Sequence, residues 1–84
     1  MKTTDEIFGL LVIGFEANRD KKDQDFDPDM SLADMIADEN KRRRVIEESV
    51  EELRLKLPDN VAKEATLDSL ASYIQKNATV IENR

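Results

Sequence analysis

Two pairs of carboxylates have a spacing that could hold a metal ion. Glu48 and Glu51 stand three residues apart, and Glu64 and Asp68 four apart, on either side of Pro58. On a helix, side chains three or four apart share a face. Two such pairs facing each other across an antiparallel turn could bind Mg²⁺ through oxygen ligands. Carboxylate chemistry is the main catalytic option open to this chain, because it has no Cys and no His. Their absence removes thiol nucleophiles, disulfides, Cys or His zinc sites and imidazole acid–base catalysis. It also fits a reducing compartment. A second acidic run, DQDFDPD, puts Asp23, Asp25, Asp27 and Asp29 at alternate positions. In a calcium loop read from Asp23, the sixth position requires Gly and the twelfth a bidentate Glu. Pro28 and Asp34 stand there instead, so the run reads as an acidic linker with no bound cofactor.

The Glu48/Glu51 and Glu64/Asp68 pattern resembles the ExxE and ExxD elements of all-α nucleotide pyrophosphohydrolases of the MazG type. The resemblance implies a Mg²⁺-dependent enzyme with those four residues as ligands. It departs from the family in its second element, which is one residue too long, and no Lys, Arg or Asn cluster for a nucleotide stands beside it. Charges flanking an apolar seam at Val50 and Leu53 account for the same glutamates without any chemistry.

The net charge of −6 is unevenly spread. Residues 21–39 hold two bases and seven acids, whereas residues 40–57 hold six bases and four acids. The first segment is suited to a basic partner. In the second, KRRR at 41–44 has the composition of a nucleic-acid patch. Asp38, Glu39, Glu47 and Glu48 each stand four residues from one of its arginines, so the expected state is a self-paired, solvated helix face. Nucleic acid is therefore a poor candidate partner, since phosphate contacts need uncompensated Lys and Arg.

The elements that position these residues read as helices. Gly and Pro number two each and aromatics are 5% of the chain, which argues against a β fold. Thr3 and Glu6 have the spacing of a capping box, opening a helix over about 4–18. Ile7, Phe8, Leu10, Leu11, Val12 and Phe15 cover roughly 200° of its wheel, about twice what one-sided packing needs, and Ile13 lies beyond even that arc. The helix is either the centre of the core or carries a second contact face. Gly9 and Gly14 leave room for another backbone to approach. A buried strand over 7–15 competes, because a continuous apolar run has no diagnostic period.

Residues 19–30 form an acidic connection. Ser31 is a good N-cap with Asp34 at N3, and Met30 and Met35 fit a hydrophobic staple. A second helix then runs to Leu57 along the seam Leu32, Ile36, Glu39, Arg43, Ile46, Val50, Leu53 and Leu57, with Glu39 and Arg43 as a polar break that could fix register between two copies. Pro58 ends it. A third helix, capped by Asp59 or Asn60, carries Val61, Leu67, Leu70, Ala71, Ile74, Ala78 and Ile81 on one face to the C-terminus.

The expected fold is therefore all-α, one helical domain over 1–84, with a long antiparallel hairpin and a shorter apolar N-terminal helix across it. Excess apolar surface on that helix predicts a homodimer through Phe8, Leu11, Val12 and Phe15. The expected function is non-enzymatic: a small acidic adaptor, inhibitor, immunity-type or phage-encoded modulator. It would bind a basic protein surface through Asp25, Phe26, Asp27, Asp29, Asp34 and Asp38. The alternatives are the Mg²⁺ enzyme and a structural assembly subunit. The opening apolar run is too short to span a bilayer, which takes about 20 residues. It also lacks the features of a secretion signal, so the expected location is cytoplasmic, with no membrane partner.

Overall fold

A computed structural model of the protein describes residues 3–81. It is mostly helical. Helix α1 spans Thr4–Asn18, α2 Leu32–Met35, α3 Glu39–Ser49 and α4 Leu67–Asn77. Short 3-10 turns occupy Glu51–Leu53 and Val61–Lys63. Two-residue strands β1 (Leu55–Lys56) and β2 (Thr79–Val80) pair antiparallel, with Leu55 opposite Val80. Among the described residues no helix is long and apolar enough to cross a membrane.

Helix α1 begins where its cap dictates. The Thr3 hydroxyl oxygen accepts the Glu6 backbone N–H at 3.2 Å, satisfying one of the four amides that a helix start leaves open. The helix then buries Ile7, Leu11 and Phe15 completely. It packs along both α3 and α4, so it is the centre of the core rather than a cover laid over a hairpin. That placement absorbs the wide apolar arc. It also corrects the assignment of a dimer contact to Leu11 and Phe15, which have no accessible surface left for a second chain. Phe8 and Val12 are half-buried against the same core.

The long second helix expected over 32–57 is interrupted twice. After α2, Ile36 turns extended at φ −139° and ψ 108°. The segment just after α1 takes the groups a continuous helix would use: the Asp20 N–H donates to the Met35 carbonyl at 2.8 Å, and the Asp20 carboxylate accepts the Ala37 N–H at 2.9 Å. Asp38 then caps α3 by accepting from the Asn40 and Lys41 amides, a role in which Asp competes with helix continuation. The second interruption follows Ser49, where the chain passes through the 3-10 turn to Arg54 in the left-handed region at φ 54° and on into β1.

The third helix is also shorter than its pattern. Asn60, at φ 69°, precedes only the 3-10 turn and makes no side-chain capping bond, unlike the extended N-cap of an α-helix. The effective start is Thr66, whose side chain and that of Ser69 cap each other's backbone amides reciprocally. At the far end Thr79, Val80 and Ile81 leave the helix, and the Ile81 N–H donates to the Arg54 carbonyl at 2.7 Å. Three successive β-branched residues favour that extended pairing. Residues 82–84, which the sequence pattern carried as helix, lie outside the described residues. The expected long hairpin is therefore replaced by α3 and α4 laid on either side of α1.

The approach of α1 to α3 depends on Gly14. A Cβ there would collide with the Ser49 Oγ and lie 2.9 Å from the Ser49 Cβ. Gly14→Ala is expected to destabilise by about 1–2 kcal/mol: overpacking costs roughly 1–3 kcal/mol, and helix propensity returns up to about 1 kcal/mol. Adding Ser49→Gly should restore the denaturation midpoint, because the Ser49 Cα, at 3.7 Å, is an ordinary neighbour. A double variant no better than Gly14→Ala alone would contradict this contact.

Candidate functional site

The fold does not gather the four carboxylates of the Mg²⁺ pattern. Glu48 is exposed on α3 and Glu51 in the 3-10 turn after it, Asp68 is exposed in the first turn of α4, and Glu64 is half-buried at the end of the turn before it. Among the described residues no three acidic side chains stand together as a metal-binding group. The same holds for Asp23, Asp25, Asp27 and Asp29.

The connection from 19 to 30 has a defined frame, and Arg19 builds it. Its guanidinium donates to the carbonyls of Glu16 at 2.7 Å, Lys22 at 3.3 Å and Gln24 at 3.2 Å. It also lies 5.9 Å from the Phe26 ring centroid, within cation–π range. Phe26 and Met30 are half-buried against the core, so Phe26 anchors the loop and is not a free docking side chain. The Asp27 carboxylate accepts the Asp29 N–H at 2.9 Å, and the Met30 N–H returns to the Asp27 carbonyl at 3.1 Å, closing a tight turn. Beyond it, Ser31 caps α2 by accepting the Asp34 N–H at 3.2 Å, as its sequence position predicts.

Of the residues assigned to partner binding, Asp25, Asp27, Asp29, Asp34 and Asp38 are all exposed. Asp27 and Asp38 are also committed to local backbone bonds. Arg19 gives its Nη donors to carbonyl oxygens while its buried Nε has no partner, and among the described residues none of these five aspartates is in an ion pair. These aspartates thus stand exposed and outside ion pairs, with Arg19 and Lys21 lining the same pocket as Asp25, Asp27 and Asp34.

Sequence reading placed Glu39 and Arg43 on the seam, but the structure buries their neighbour Arg42. Glu39 is exposed, and Arg43 stays at the surface with its Nε 3.7 Å from Glu47. Arg42 is 8% exposed, with Nε donating to the Ala62 carbonyl at 3.0 Å and Nη1 to those of Ile36 at 2.9 Å and Ala37 at 3.0 Å. The cause is the break after α2, which resets the helical phase so that Arg42, Val45 and Ile46 face inward. No hydrophobic pattern marks Arg42 for burial; the available signal was Asp38 as an N-cap in the middle of a presumed helix.

Asp20 completes this joint. Its carboxyl is held below the ordinary carboxylate range, first by the Ala37 N–H and then by the Lys41 ammonium, whose Nζ is 3.1 Å away. A depressed folded-state value gives stability that is full above the unfolded value, about 3.9, and is lost as pH falls through the folded one. Acid titration of unfolding should therefore show a limb below about pH 4 that Asp20→Asn flattens. An unchanged limb would remove Asp20 from the joint.

A second surface lies between α1 and the end of α3. Its α1 wall carries Asp5, Gly9, Leu10 and Ile13. Its opposite wall carries Glu48, Ser49, Glu52 and Leu53. Ile13, 67% exposed, is the most exposed large apolar side chain among the described residues. The same wheel that put Ile13 outside the buried arc marked it, but the glutamates opposite were legible only as helix-surface charge. No protein-family profile, curated protein or solved structure matches the chain.

Proposed function

We propose that the protein is a non-catalytic binding module that recognises another protein, with its acidic loop steering it towards a basic surface. The observation that carries this reading is the exposed acidic loop, where residues 19–30 hold five acids against three bases. Asp25, Asp27 and Asp29 stand exposed on a segment that Arg19 and Phe26 brace, and Asp34 stands exposed on α2 beside it. A charge array on a fixed frame speeds encounter and excludes like-charged partners, without paying to order a floppy segment at each binding event.

The test is affinity capture from a lysate of the organism that makes the protein, run in parallel with an Asp25→Asn, Asp27→Asn, Asp29→Asn variant. The expected result is a basic protein retained by the native chain, weakly held by the variant, and associating more slowly as salt rises through the range where the Debye length falls below about 10 Å. Equal capture by both chains would overturn the loop as the contact.

A further inference from the structure

From the geometry of the α1–α3 groove we infer a second, more specific docking site: a seat for an amphipathic helix of a partner protein, apolar along one stripe and flanked by Lys or Arg. The inference deepens the protein-binding reading above and rests on it. The groove is the trough between α1 and the end of α3 with the 3-10 turn that follows it, and troughs between packed helices are where a third helix sits in helical bundles. On α1 its floor follows a helical stripe through Gly9, Leu10 and Ile13, and Leu53 closes the far end. Its rim carries Asp5 on one side and Glu48 and Glu52 on the other. No Lys or Arg among the described residues lines it.

Two features of the chain fit such an occupant. Ile13 leaves most of its side chain in water. Gly9 lowers the helix propensity of α1 relative to Ala, yet a Cβ there would meet nothing within 4 Å. Gly14 is explained by Ser49; Gly9 has no such neighbour and leaves a notch that an incoming side chain can fill. A second copy of the chain is the poorer occupant. Helix α1 contains Asp5, Glu6 and Glu16 and no Lys or Arg, so a two-fold pairing through this groove would set acid rim against acid rim. A Lys- or Arg-flanked helix inverts that repulsion, in the helix-in-groove mode that reads anchors at i, i+3 and i+4.

The experiment titrates the full chain with a synthetic peptide of roughly sixteen residues, about 24 Å as a helix at 1.5 Å per residue. It carries a Leu stripe flanked by Lys; a control peptide has Glu at every Lys. Amide NMR reports the site directly, because the only two glycines of the chain, Gly9 and Gly14, both line this groove. The expected result is saturable binding of the Lys peptide with shifts at both glycine amides, and no binding of the Glu peptide. Affinity should fall about tenfold or more, the scale of a hot-spot loss, in Ile13→Asp, in Gly9→Trp and in the Glu48→Lys, Glu52→Lys pair. These exposed substitutions should leave the unfolding midpoint nearly unchanged.

Absence of saturable binding, equal binding of the two peptides, or groove variants that bind like the native chain would overturn the proposal. Self-association that shifts the same two glycine amides would give the groove to a second copy and overturn it as well. The Asp25→Asn, Asp27→Asn, Asp29→Asn variant separates the two surfaces. Loss in that variant alone keeps the loop and removes the groove, whereas loss in the groove variants alone supports the groove and removes the loop from this contact.

Discussion

Arg42→Met is expected to destabilise the protein by about 3–5 kcal/mol, read as a fall in the urea midpoint. The side chain is 8% exposed and donates to three carbonyl oxygens, of Ile36, Ala37 and Ala62. Methionine fills much of the same space but leaves those oxygens without their donor, at roughly 1–3 kcal/mol for each one that water does not reach. The loss is large against the 5–15 kcal/mol that holds ordinary domains together, and a chain of 84 residues sits towards the low end of that range. Arg42→Lys should recover only part of it, since an ammonium on a flexible stem does not reproduce the planar fork of a guanidinium. Midpoints for both variants within experimental error of the native protein would mean that water serves these carbonyls equally well. Arg42 would then not be what fixes the joint between α2 and α3.

Phe15→Ala should cost a similar amount, about 3–5 kcal/mol, from lost transfer energy and the cavity left behind. Phe15 is fully buried and belongs to the central helix, so the loss should be the same at low and high protein concentration. A dimer contact predicts otherwise, because the stability of an interface residue varies with protomer concentration. Denaturation of the native chain and of Phe15→Ala over a wide concentration range therefore separates the two cases. A destabilisation that appears only at high concentration would return Phe15 to an interface. Ile13→Ala, by contrast, should change stability by no more than about 0.5 kcal/mol.

These two residues show what the sequence could and could not reveal. Local signals were legible: Thr3 caps α1, Ser31 caps α2, and the apolar period of α1 selects Ile7, Leu11 and Phe15 as one face. The partners of that face were not legible. An arc of roughly 200° is equally consistent with a helix between two others and with one shared by two chains, and only the placement of α3 and α4 decides between them. The heptad over 32–57 was misleading for a different reason. Its spacing is genuine, but Asp20, far away in sequence, takes the Met35 carbonyl and the Ala37 amide, and a tertiary bond of that kind leaves no periodic trace. The burial of Arg42 follows from the resulting phase shift. Of the surfaces, the acidic loop was legible because charge is visible in composition. The groove was not, since its two walls lie some forty residues apart, at Gly9 and Glu48.

The central position of α1 bears on how the chain acquires its shape during synthesis. Helix α1 ends at Asn18 and α4 begins at Leu67, so the ribosome delivers the oiliest segment well before one of the two helices that shelter it. At 5–20 residues per second that interval is roughly 2–10 s, during which Ile7, Leu11 and Phe15 have at most α3 to lie against. A nascent chain stalled before residue 67 should bind chaperones that hold exposed apolar segments, and one released past residue 77 should not.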